Sequence, residues 1–131
     1  MAGPPKEIPG ELKRLVFDEK AEIIKEIDRI GEIVAVTEDG VVLLKRRFSN
    51  RISTLLAYML GRVVAKTLGF IEDDTINLGE ISLITQLKGT ELLNALTSNP
   101  FVVFAGRGRF RLNTAMLSEM LNELEKLENV R

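Results

Sequence analysis

The sequence of 131 residues has no cysteine, no histidine and no tryptophan. Those absences remove disulfide frameworks, Cys/His zinc sites, histidine general bases and cysteine nucleophiles. Most hydrolytic chemistries lose their key residue, and no catalytic, cofactor-binding or metal-ligating set is assigned. An excess of charge of one sign is also missing: 18 Lys+Arg stand against 19 Asp+Glu. Nucleic-acid binding would therefore rest on a local patch rather than on a global field. Long apolar runs are absent too. The longest, near Leu55, is broken by Arg62 and Lys66, and residues 1–10 lack the apolar region of a signal peptide. The expectation is a soluble, cytoplasmic protein without a membrane partner.

What is present, 45% hydrophobic residues, suffices for one compact domain with attached elements. Abundant Ile, Leu, Glu, Lys and Arg match a thermophile's preferences. Residues 1–10 (MAGPPKEIPG), with three prolines and two glycines, read as a flexible leader. Leu12, Leu15, Val16, Ile23, Ile27 and Ile30 then recur at helical spacing with Gly31 as a stop, which predicts an amphipathic helix, interrupted near Phe17-Asp18. Such a seam packs on its own domain or on a second copy.

Ile33, Val34, Val36 and Val41 to Leu43 are strand formers around Asp39-Gly40, so residues 32–45 predict a β-hairpin. Lys45, Arg46, Arg47 and Arg51 follow. Between Glu32 and Phe70 there are six basic residues against three acidic ones, an excess that suits phosphates or a solvated surface equally. Ser49 or Asn50 should cap a core helix carrying Ile52, Leu55, Leu56, Met59, Leu60, Val63, Val64 and Leu68, ended by Gly69-Phe70. Ala57, Gly61 and Ala65 would let a neighbouring element approach closely.

Thr75 to Leu78 reads as a short strand able to pair with a later hairpin. Ile81, Ile84 and Leu87 mark a short helix, broken at Lys88-Gly89. Thr90 can cap a second helix with Leu92, Leu93 and Leu96, which Ser98-Asn99-Pro100 ends. Phe101 to Phe104 and Arg109 to Leu112 form a hairpin with its tip at Ala105 to Gly108; alternation puts Phe110 and Leu112 on one face, Arg109 and Arg111 on the other. Thr114 opens a terminal amphipathic helix with Leu117, Met120, Leu121, Leu124, Leu127 and Val130, which covers the core or pairs with a partner chain.

Ile52 to Asn113 resembles the winged helix-turn-helix superfamily, particularly small archaeal regulators with a long first helix and a GRGRFRL-like wing. The fold class that follows is α+β, mostly helical: leader 1–10, helix and β-hairpin extension 11–48, winged helix 49–113, and C-terminal helix 114–131. The resemblance implies a transcription regulator binding double-stranded DNA, with the second helix of the turn motif in the major groove and the wing on the adjacent backbone. It assigns Lys88, Thr90, Glu91, Asn94, Thr97 and Ser98 to the reading helix, and Arg107, Arg109 and Arg111 to the wing. A homodimer through Glu11–Ile30 and Thr114–Val130 would present two wings. Between Ile71 and Asn99 the only cation is Lys88, against Glu72, Asp73, Asp74, Glu80 and Glu91. The wing and the cluster Lys45, Arg46, Arg47 and Arg51 should therefore supply most of the affinity. The alternative is a winged-helix module that docks protein within a larger assembly.

Overall fold

The computed structural model describes residues 9–129; most of the leader expected over residues 1–10 lies outside the described residues, as do Val130 and the side chain of Leu127. The chain is α+β, with short helices and two small antiparallel sheets around one long helix.

That helix is Arg51–Thr67, α4 in chain order. The Asn50 side chain accepts a hydrogen bond from Ile52 N at 2.8 Å, a cap that contributes about 1 kcal/mol. Leu55, Met59, Leu60 and Val63 are fully buried, each stabilising the fold by about 1.5–3 kcal/mol. At the other end Gly69, at φ 81°, donates to Lys66 O while Phe70 N donates to Ala65 O, both at 2.9 Å. These two bonds form a Schellman stop.

Ahead of α4, the helix expected from Glu11 with Gly31 as its stop and an interruption near Phe17-Asp18 is broken there and once more at Glu26, giving α1 (Gly10–Lys13), α2 (Glu19–Lys25) and α3 (Ile27–Gly31). Asp18 accepts from Ala21 N and starts α2 afresh, so the phase of the stripe before it is not carried through. Glu26 then turns the chain at φ −102°, ψ 15°, with its buried carboxylate bonded to Arg29. As a result Ile23 and Ile30 are buried, whereas Leu12, Leu15, Val16 and Ile27 face solvent. Gly31 ends α3 without adopting the left-handed conformation.

The first hairpin is β1 (Val34–Val36) against β2 (Val42–Leu44), with Val36 opposite Val42. Val42 lies so close to Gly61 that a Cβ there would collide with its methyl groups. The small-residue face of α4 thus serves the chain's own hairpin.

After α4 come β3 (Ile76–Asn77), α5 (Leu78–Thr85), α6 (Gly89–Thr97), β4 (Val102–Gly106) and β5 (Arg109–Leu112). β5 is the central strand, in the order β3-β5-β4, with Ile76 opposite Phe110. Asn77 caps α5 by accepting from Glu80 N at 2.8 Å. The break expected at Lys88-Gly89 begins earlier, at Gln86, which is left-handed at φ 61°. The reason is local: Ser82 Oγ donates to Leu87 O, and Thr85 Oγ1 accepts from Leu87 N, so two hydroxyls of α5 satisfy the turn's backbone. Lys88, not Thr90, occupies the cap position of α6, and makes no side-chain cap bond.

A 3₁₀ turn over Thr114–Met116 leads into α7 (Leu117–Asn129). Thr114 is not a helix cap; its hydroxyl donates to Glu19. Leu117, Met120, Leu121 and Leu124 are at most 1% exposed and join Ile23, Ile30 and Leu55 in one core. Of the two fates open to this stripe, the described part covers the core. Among the described residues no helix is long and apolar enough to cross a membrane.

Candidate nucleic-acid interface

The hairpin β4–β5 carries the arginines singled out by the sequence, and its register decides what each can do. A bulge between Phe104 and Gly106 leaves Arg107-Gly108 as a two-residue turn, at φ 53° and 70°. Tight hairpins of this kind need positive φ at both central positions, which glycine, asparagine or aspartate supply at least cost. Arg107 is exposed, with no ion pair or side-chain hydrogen bond among the described residues.

Arg109 and Arg111 do share the face opposite buried Phe110 and Leu112, but that face is not open. Arg109 Nε donates to Thr75 Oγ1 at 2.6 Å, and its Nη2 lies 3.4 Å from Asp73 Oδ2. Arg111 grips Asp74 with two parallel bonds, Nε to Oδ1 at 3.1 Å and Nη2 to Oδ2 at 2.8 Å, and reaches Glu19 Oε2 at 2.7 Å. Asp74 is only 2% exposed. The bidentate bond to Asp74, and then that to Glu19, hold the Arg111 guanidinium above its usual pKa against the opposing effect of burial. From α4, Arg62 donates to Asp73 O at 2.6 Å, leaving its Nε buried without a hydrogen-bond partner among the described residues. The Thr75 hydroxyl and N–H keep the Asp73 carboxyl below its ordinary value. Three arginines therefore converge on residues 73–75.

The acids in this hub, Asp73, Asp74 and Glu19, were not among the expected functional residues. A signal existed for two of them. An antiparallel β3–β5 pair with Ile76 opposite Phe110 brings the residues just before β3 alongside Arg111.

On α6, Leu92 and Leu96 are buried, and Lys88, Thr90, Glu91, Asn94, Thr97 and Ser98 are all exposed. Thr97 Oγ1 donates to Leu93 O and Ser98 Oγ to Asn94 O, so both hydroxyls keep only lone pairs for a ligand. A groove of about 310 Å³ runs between the starts of α5 and α6, lined by Leu78, Ser82, Lys88 and Leu93 among others. Leu78 also approaches Gly108, with Cδ1 4.0 Å from where a Cβ would stand. The hairpin tip is thereby held beside the first residue of α5.

The second basic cluster divides in the same way. Lys45 Nζ donates to Gly31 O at 2.7 Å, and Arg46 binds the Glu32 carbonyl at 3.1 Å and its carboxylate at 3.4 Å. Arg47 and Arg51 are exposed and unpaired among the described residues. Among the described residues this leaves Arg47, Arg51, Lys88 and Arg107 as the predicted cations without an ion pair or side-chain hydrogen bond. Comparison with protein-family models, curated proteins and solved structures finds no match to this chain.

Proposed function

We propose that the chain is a winged helix-turn-helix protein that binds duplex DNA, with α5 and α6 as the turn motif and β4–β5 as a wing acting through its tip. The order α4, β3, α5, α6, β4, β5 and the sheet order β3-β5-β4 support the assignment. Thr90 and Asn94 on the exposed face of α6 are the base-reading candidates, since an Asn amide can pair with adenine N6 and N7.

The observation that carries the DNA reading is Arg107. A left-handed arginine costs about 1–2 kcal/mol that glycine would not, so a hairpin needing only a turn gains nothing from it. A freely projecting guanidinium beside α5 is what the position supplies. Arg107 at the tip and Lys88 at the start of α6, on either side of Leu78, provide about two phosphate contacts, which gives a slope of log affinity against log salt of about −1.8.

The test is fluorescence anisotropy of a labelled duplex titrated with wild type and R107G across salt concentrations. R107G should lose DNA affinity and about one unit of salt slope while melting at the same or a higher temperature. Unchanged affinity in R107G, or no binding by wild type at low salt, rules the reading out.

A second reading, a protein-docking winged helix, is favoured by one observation: Leu83, Leu93 and Phe104 are 81%, 45% and 66% exposed on the same three elements. It predicts no duplex binding and a co-purifying partner lost on Leu93→Glu.

A further inference from the structure

Among the described residues, two exposed apolar surfaces involve the N-terminal helices. The first is α1 with the turn after it. α1 buries no residue, and Leu12, Leu15, Val16 and Phe17 are between 46% and 79% exposed. The second is a groove of about 420 Å³ between the α2–α3 pair and the end of α4, lined by Ile23, Ile24, Ile27, Ile30, Val64 and Leu68. Ile24, Ile27 and Leu68 on its rim are each more than half exposed. No residue of the Gly10–Phe17 segment lines this groove in its own chain.

We propose that the groove receives the Gly10–Phe17 segment of a second copy of the chain, and that the exchange is reciprocal about a two-fold axis. Area argues for reciprocity. Seven large apolar side chains meet in each segment-to-groove contact, and two such contacts remove on the order of 1,500 Å² from water, the size of a stable interface, whereas one alone falls below it. A two-fold interface of this kind is self-complementary, because each copy supplies one segment and one groove. The groove's lining is apolar apart from Lys20 and Thr67, and the apolar side chains of the segment match it. The contact leaves α7 in the core and uses the N-terminal helices with the end of α4.

The absence of cysteine makes the test direct. Sedimentation of the full chain should show a dimer, and L15E and I27E should each give folded monomers by circular dichroism, whose melting no longer depends on protein concentration as that of the wild type does. Mixing L15C with I27C protein and adding a short bis-maleimide should yield a cross-linked heterodimer, and the double variant should cross-link between chains. A monomeric wild type, dimers that survive both Glu variants, or cross-linking within one chain in L15C/I27C would each overturn the proposal.

Discussion

Replacing Arg111 with alanine should be among the most damaging single changes on the surface of this protein. The side chain holds Asp74, which is 2% exposed, through two hydrogen bonds of 3.1 and 2.8 Å, and Glu19 through a third of 2.7 Å. Removing the guanidinium leaves a buried carboxylate without a counter-charge, a loss of about 3–5 kcal/mol. With a urea dependence of about 1.5 kcal/mol per molar, the unfolding midpoint should fall by about 2–3 M. R111K should recover only part of this, because an ammonium cannot make the parallel bonds of the fork. D74A leaves Arg111 with Glu19 and partial access to solvent, so it should lose less, about 1–3 kcal/mol. In D74A/R111A no buried charge is left behind, and the coupling between the two sites should reach about 2 kcal/mol. Urea titrations followed by circular dichroism measure all four corners of this cycle. A loss under about 1 kcal/mol for R111A, with coupling near zero, would show the pair to be solvent-screened and Arg111 free for a ligand.

Gly61→Ala should destabilise by about 1–3 kcal/mol through overpacking, because the new methyl meets Val42 on the first hairpin; thermal melting checks it, and Val42→Ala in the same chain should restore part of the loss. Tyr58 is the only tyrosine and there is no tryptophan, so alkaline absorbance near 295 nm reports this one group. Burial first, and the 2.8 Å bond from its hydroxyl to Glu80 second, raise its pKa above the ordinary 10.0. A raised value in the folded state means that its stabilising contribution is complete below pH 10.0 and is lost as pH climbs through the native midpoint. The titration midpoint should lie above 10.0 and move down in E80Q; a native midpoint at or below 10.0 contradicts the burial and the bond together.

Much of the architecture was legible because it is written in short-range chemistry. Asn50 before an apolar stripe and Gly69-Phe70 after it marked both ends of α4, since caps and stops are satisfied within a few residues. The periodicity of α7 likewise identified the face that enters the core. The N-terminal region was legible in part. Its apolar spacing was sound and a break near Phe17-Asp18 was expected, where Asp18 caps α2, but the second division, the turn at Glu26, goes with a buried Glu–Arg pair that spacing does not show. Gln86 is a similar case: the turn sits there because Ser82 and Thr85 supply its hydrogen bonds, and neither residue type marks a helix end.

The candidate site was harder to read, because a cation's role depends on which acids the strand register brings to it. Arg107, Arg109 and Arg111 look equivalent in GRGRFR, a pattern that suggests three like contacts. Pairing of β3 with β5 separates them: positions 109 and 111 meet the Asp73-Asp74-Thr75 turn, while position 107, between two glycines in a left-handed turn, meets none of it. Two arginines brace the β4–β5 hairpin, and the third is unpaired at its tip among the described residues. The division also bears on charge: in a chain of near-neutral composition, Arg109 and Arg111 are offset by Asp73, Asp74 and Glu19, while Arg107 has no such partner among the described residues. Under the DNA reading, substitutions at 109 or 111 act on binding through the fold and should weaken it only in proportion to the fraction unfolded. A change at Arg107 acts on binding with the fold intact. Affinity and stability should therefore move together at two of the three arginines and in opposite directions at the third.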